Sequence, residues 1–184
     1  MKRIVRVSAL CIALGVVSAA GFTSIAWLLP AQVATEEILA SSPLEHRGLP
    51  EPVYALAKLQ EGKKGIRYWV AYQRAAGPEN KPEGSLERLI KTPVWSAFLG
   101  LRYSDEEIFA LWCHYYFFIG QDGRTVDGLG TVARTIYGAE LAELRLHDAA
   151  RLVTTIRSPS LYASSQARLE EDVAKLLAEY GARE

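Results

Sequence analysis

Residues 7–29 run for 23 positions without one charged side chain. Such a run fits poorly inside a compact domain of a 184-residue chain, and it divides the sequence before any other feature does. As a helix it spans about 34 Å, enough for a hydrocarbon core of about 30 Å. Lys2, Arg3 and Arg6 precede it and no acid does, so the basic flank should stay on the cytoplasmic side. Residues 1–6 therefore read as a cytoplasmic tail and 7–29 as a single transmembrane anchor. Trp27 falls where an outer interfacial aromatic is expected. The small residues at Val17-Ser18-Ala19 also suit a cleaved signal sequence. Both readings export the rest of the chain.

The exported part carries 18 of the 21 basic residues and all 21 acidic ones, a net of −3. A partner recognised by phosphate neutralisation along its length, such as nucleic acid, is disfavoured. Residues 30–52 hold Pro30, Pro43, Gly48, Pro50 and Pro52 and read as a linker. Residues 53–184 are long enough for one domain, with breaks at 76–84, 120–123 and 157–160. Two cysteines and three histidines make neither a disulfide framework nor a zinc module.

Between the breaks the apolar period is helical. Ser104-Asp-Glu-Glu107 has the form of a capping box. Ile108, Leu111, Trp112, Tyr115 and Phe118 then fall on one broad face. Val126, Leu129, Ala133 and Tyr137 repeat the pattern, as do Leu169, Val173, Leu176, Leu177 and Tyr180 before Gly181. No stretch alternates cleanly over six residues, so the fold class is all-α. The expected core is Trp112, Tyr115, Phe118, Val126, Ala133, Leu146, Ala149, Leu152, Val153, Leu169 and Val173.

Three blocks keep a longer register. Tyr103-Ser-Asp-Glu-Glu-Ile-Phe-Ala-Leu-Trp112 is followed by Asp127-Gly-Leu-Gly-Thr-Val-Ala-Arg-Thr-Ile-Tyr-Gly138, then by Leu144-Arg-Leu-His-Asp-Ala-Ala-Arg-Leu-Val153 and Pro159. Together they resemble the C-terminal half of the family 51 glycosyltransferases, the peptidoglycan transglycosylase domain of class A penicillin-binding proteins and of their monofunctional relatives. The resemblance implies a lysozyme-like helical domain at the outer face of the bacterial cytoplasmic membrane. It also implies an activity: a sugar hydroxyl attacks C1 of a lipid-linked disaccharide, lipid II, and the lipid diphosphate leaves.

That reaction requires a carboxylate base and positive charge where the diphosphate departs. The family places its base in an E-D-x-x-F-x-x-H block, 11 residues after the proline of an I-P-x-x-V segment. Leu49-Pro50-Glu51-Pro52-Val53 is similar to that segment, and counting from Pro50 gives Glu61 as the catalytic residue. Gly62, Gly65 and Tyr68 then occupy the Asp, Phe and His positions, and Thr92 occupies that of the family's second glutamate. Lys63, Lys64 and Arg67 are the candidate diphosphate ligands. A divalent cation, Mg or Mn, is implied by the resemblance alone. Implied partners are lipid II or a nascent glycan strand, membrane lipid, and cell-wall synthases or division proteins. Two further classes stay open: a non-catalytic binding relative, and a lysozyme-type hydrolase, which would need a second placed carboxylate.

Overall fold

The computed structural model describes Leu29 and residues 31–42, 49–75, 85–115, 117–119 and 125–183. The cytoplasmic tail, all of the anchor but Leu29, residues 43–48 of the linker and the loops at 76–84 and 120–123 lie outside the described residues. Among the described residues no helix is long and apolar enough to cross a membrane. The chain divides into two units after Glu37, and the second, Ile38–Glu184, carries the fold below.

Residues 31–41, expected as linker, form a helix, α1. In sequence Pro30 precedes this run and Pro43 follows it, and proline is tolerated in the first turn of a helix and beyond its end. Between them the Ala-rich run bonds locally: Thr35 donates to the Ala31 carbonyl at 2.7 Å, and the Gln32 amide to Glu36 at 2.8 Å.

From Val53 the chain is helical, as the periodicity predicts. The elements are α2 (Val53–Glu61), α3 (Gly65–Ala75), α4 (Ser85–Arg102) and α5 (Asp105–Tyr115). After a short ladder come α6 (Leu129–Val132), a π turn (Ala133–Tyr137), a 3-10 turn (Leu141–Glu143), α7 (Leu146–Arg157), α8 (Pro159–Ser164) and α9 (Gln166–Gly181). α3 packs on α4 and α5, and α7 packs on α2 and α9.

α5 sits at the centre, with Ile108 through Cys113 all buried. Its start is the expected capping box: the Ser104 amide donates to Glu107 at 2.9 Å, and the Glu107 amide to the Ser104 hydroxyl at 3.2 Å. Asp105, Glu106 and Glu107 also place negative charge at the helix N-terminus. α7 ends at Ser158, whose amide donates to the Thr155 carbonyl, and Pro159 opens α8 as its first residue.

Three expectations are corrected. Phe118 and Val126 do not continue the helices. They are Cα partners in a two-stranded antiparallel ladder, β1 (Phe117–Ile119) with β2 (Thr125–Asp127). Aromatic and β-branched residues on both sides of a short Gly-bounded segment favour extended pairing over helix. Leu146 is 40% exposed, because as the first residue of α7 it precedes the buried face of Ala149, Ala150, Leu152, Val153 and Ile156. Tyr115 is half-buried, whereas Trp112, Ala133, Ala149, Leu152, Val153, Leu169 and Val173 are core as expected.

Candidate functional site

Glu61 is the last residue of α2. Val53, Leu56 and Ala57 bury one face of that helix, and the Gln60 side-chain amide pins its end to α7 by donating to the Val153 carbonyl at 2.8 Å. The helix stops at Gly62, which takes φ +57° and ψ −140°, with its amide on the Lys58 and Leu59 carbonyls at 3.2 and 3.1 Å. Gly65, at φ +73°, then opens α3. Positive φ at both positions requires glycine or a strained residue. The turn between them presents Lys63 and Lys64 to solvent. Gly62 and Gly65, which the resemblance sets against the Asp and Phe of the family block, are the two residues that allow this turn.

The half-buried Glu61 carboxylate is tied to the core. Trp112, 1% exposed, donates its indole N–H to Glu61 Oε1 at 3.1 Å. The indole stacks on Phe109 with centroids 5.5 Å apart and 20° between planes. Phe109 in turn meets the Tyr54 ring edge-on at 5.3 Å. A buried tryptophan needs an acceptor for its N–H, and this one finds it across 51 positions of sequence.

Glu61, Lys63 and Lys64 line one cleft of about 650 Å³, together with Trp69, Tyr115 and Arg157. The Lys64 ammonium also lies 5.0 Å from the centroid of the Tyr68 ring. Three of the four sequence candidates thus come together, and Arg67 does not. Its guanidinium lies against Gly100 of α4, where a side chain on that glycine would collide with it. The structure adds Trp69, Tyr115 and Arg157, which the motif comparison does not single out. Sequence offered a signal for Trp112 alone, through the hydrogen-bond requirement of a buried indole.

The arrangement has one carboxylate: Glu61 is the single acid among the described residues that line the cleft. Thr92, at the position counted for a second glutamate, is 2% exposed inside α4 and donates to the Arg88 carbonyl at 2.8 Å. A protein-held divalent cation does not fit one carboxylate beside three cationic side chains. Among the described residues no group of three His, Cys, Asp or Glu side chains is placed to hold one. The site therefore offers one proton acceptor, two lysines and an arginine for an anion, and aromatic walls. No protein-family model and no curated protein matches the chain, so the transglycosylase reading stands on the motif register and on this cleft.

Proposed function

We propose that this chain is a peptidoglycan glycosyltransferase-like protein that holds lipid II or a nascent glycan strand in the Glu61 cleft, on a lysozyme-like scaffold. The observation that carries the reading is the meeting of Glu61, Lys63 and Lys64 in one cleft of about 650 Å³. That is room for a disaccharide, and sugar rings can lie on the Trp69 and Tyr115 faces. Residues 7–29 would keep the domain at the outer face of the cytoplasmic membrane, where lipid-linked precursors are used.

In transfer, Glu61 takes the proton of the acceptor hydroxyl as its oxygen bonds to C1 of the donor. The bond from C1 to the lipid diphosphate breaks, and its electron pair leaves with the diphosphate. Lys63, Lys64 and Arg157 line the same cleft and would neutralise that charge. Trp112 holds the carboxylate at the cleft wall.

A second reading, a relative that binds without transferring, is favoured by the single carboxylate and by Thr92. Full-length protein with labelled lipid II, beside Glu61→Gln, decides between them. Polymer from the wild type and none from the variant gives catalysis with Glu61 as base. Saturable lipid II binding by both proteins, weakened at least tenfold in Lys63→Gln/Lys64→Gln and without polymer, gives the binding role. Neither binding nor polymer overturns the proposal.

A further inference from the structure

A second cavity, about 440 Å³, lies beyond Gln60, Arg157 and Ser158, the three residues it shares with the Glu61 cleft. Its other walls come from Leu59 of α2 and from α7, α8 and α9. We infer that it is an oxyanion site, built to take the phosphate or carboxylate group of a small ligand on Arg157, Arg168 and the Thr154 hydroxyl.

The charges on the wall support this. Both acids are already paired. Asp172 accepts from the Tyr162 hydroxyl at 2.8 Å and from Lys175 at 3.4 Å. Glu179 is held by Arg183 at 2.7 Å. Lys175 is held by Glu171 and Asp172. Arg157 and Arg168 have no hydrogen-bond or ion-pair partner among the described residues. The cavity thus keeps two guanidinium groups whose donors are not taken up by a hydrogen bond or close ion pair among the described residues, although Arg168 also acts on the nearby Asp172 charge; such forked donors match planar and tetrahedral oxyanions. Burial raises the pKa of the Tyr162 hydroxyl in the same wall, and the positive charge of Arg157 and Arg168 acts to lower it.

Thr154 is the independent observation. Four threonines of the described residues are buried: Thr35, Thr92, Thr154 and Thr155. Three of them return their hydroxyl proton to the carbonyl four residues back, at 2.7, 2.8 and 2.7 Å. That is the usual resolution for a helical threonine. Thr154 does not. Its hydroxyl has no partner, and of the four it alone lines this cavity. A buried hydroxyl left unmatched is costly unless something supplies an acceptor, and an oxyanion beside Arg157 would do so.

The site shares Arg157 with the cleft assigned to the glycan but not Lys63, Lys64 or Arg168, so the test removes the cleft's two lysines first and addresses this cavity through Arg168. Full-length Lys63→Gln/Lys64→Gln protein is titrated calorimetrically with inorganic phosphate, and in a second arm with acetate, at constant ionic strength. Saturable millimolar binding of one oxyanion is expected. Adding Arg168→Gln should weaken it at least tenfold with the helical spectrum unchanged. Thr154→Val should weaken it severalfold while raising the melting temperature of the ligand-free protein. Preference for phosphate identifies a phosphate monoester as ligand class, and equal binding of acetate identifies a carboxylate. No saturable binding in the Lys63→Gln/Lys64→Gln background overturns the proposal, as does binding indifferent to Arg168→Gln. Lipid II binding by the wild-type protein is scored separately, so loss of either site leaves the other standing.

Discussion

Breaking the link between Glu61 and Trp112 should cost stability that neither residue's own environment explains. The Trp112 indole is buried and donates at 3.1 Å to a carboxylate. Hydrogen bonds to charged groups contribute about 1.5–3 kcal/mol. Trp112→Phe removes that donor and leaves a cavity of roughly 40 Å³, about 1 kcal/mol at 24 cal/mol per Å³. The expected loss is about 2.5–4 kcal/mol. Glu61→Ala removes the acceptor and leaves the indole N–H unmatched, about 1–3 kcal/mol. If the two share one bond, the double variant loses less than the sum, with a coupling of about 1–2 kcal/mol. Denaturant unfolding of the four proteins, followed by far-ultraviolet circular dichroism, measures the cycle without relying on tryptophan emission. Additivity within about 0.5 kcal/mol would refute the claim that the core holds the carboxylate in place. Glu61→Gln is the control: its side-chain carbonyl still accepts from the indole, so it should unfold within about 1 kcal/mol of wild type.

Other outcomes follow from the same packing. Leu152→Ala, at a fully buried position of α7, should lose about 2–5 kcal/mol in the same unfolding assay. Leu101→Ala, at a residue 90% exposed, should stay within about 0.5 kcal/mol of wild type. Gly62→Ala forces a side chain into φ +57°, ψ −140° and should cost about 1–3 kcal/mol; it should also weaken lipid II binding by displacing Lys63 and Lys64. Burial pushes the Cys113 thiol far up, so in a Cys11→Ser background it should resist thiol reagents until the protein unfolds. Rapid labelling in native buffer contradicts that. Asp172 is held below its ordinary value of 3.8, first by the Tyr162 hydroxyl hydrogen bond. Its contribution to stability is present above pH 3.8 and lost as the pH falls through the lower folded value. Tyr162→Phe should flatten the acid limb of the stability profile, and an unchanged limb would show that the bond has no such effect.

Local chemistry explains which parts of the fold could be read from the sequence. The Ser104–Glu107 capping box, the Pro159 start of α8 and the buried period of α9 each depend on residues within one or two turns. Such signals survive in the sequence whatever surrounds them. The ladder was hidden because Phe118 and Val126 also fit a helical period. Only the partner strand decides between the two, and it lies further along the chain. α1 was hidden for the opposite reason: prolines flanking a run in sequence suit a helix as well as a linker.

The candidate site divides along the same line. Lys63 and Lys64 share the cleft with Glu61 because two positive-φ glycines bracket them, a relation contained within five consecutive residues. Arg67 is only two residues further on, but α3 has begun at Gly65, and the helix carries its guanidinium to Gly100 instead. Arg157, Trp69 and Tyr115 reach the cleft from three different helices, so no spacing along the chain relates them. Whether Glu61 acts as a base is set by the same long-range relations. Its neighbours in sequence are lysines, which give an exposed charge run. Its neighbour in space is an indole buried in the core, which turns one member of that run into a fixed acceptor at the wall of a cleft. A carboxylate without that contact would move with the turn; one anchored by Trp112 keeps its place when a ligand's hydroxyl arrives, and placement within hydrogen-bond reach is the first requirement of a general base.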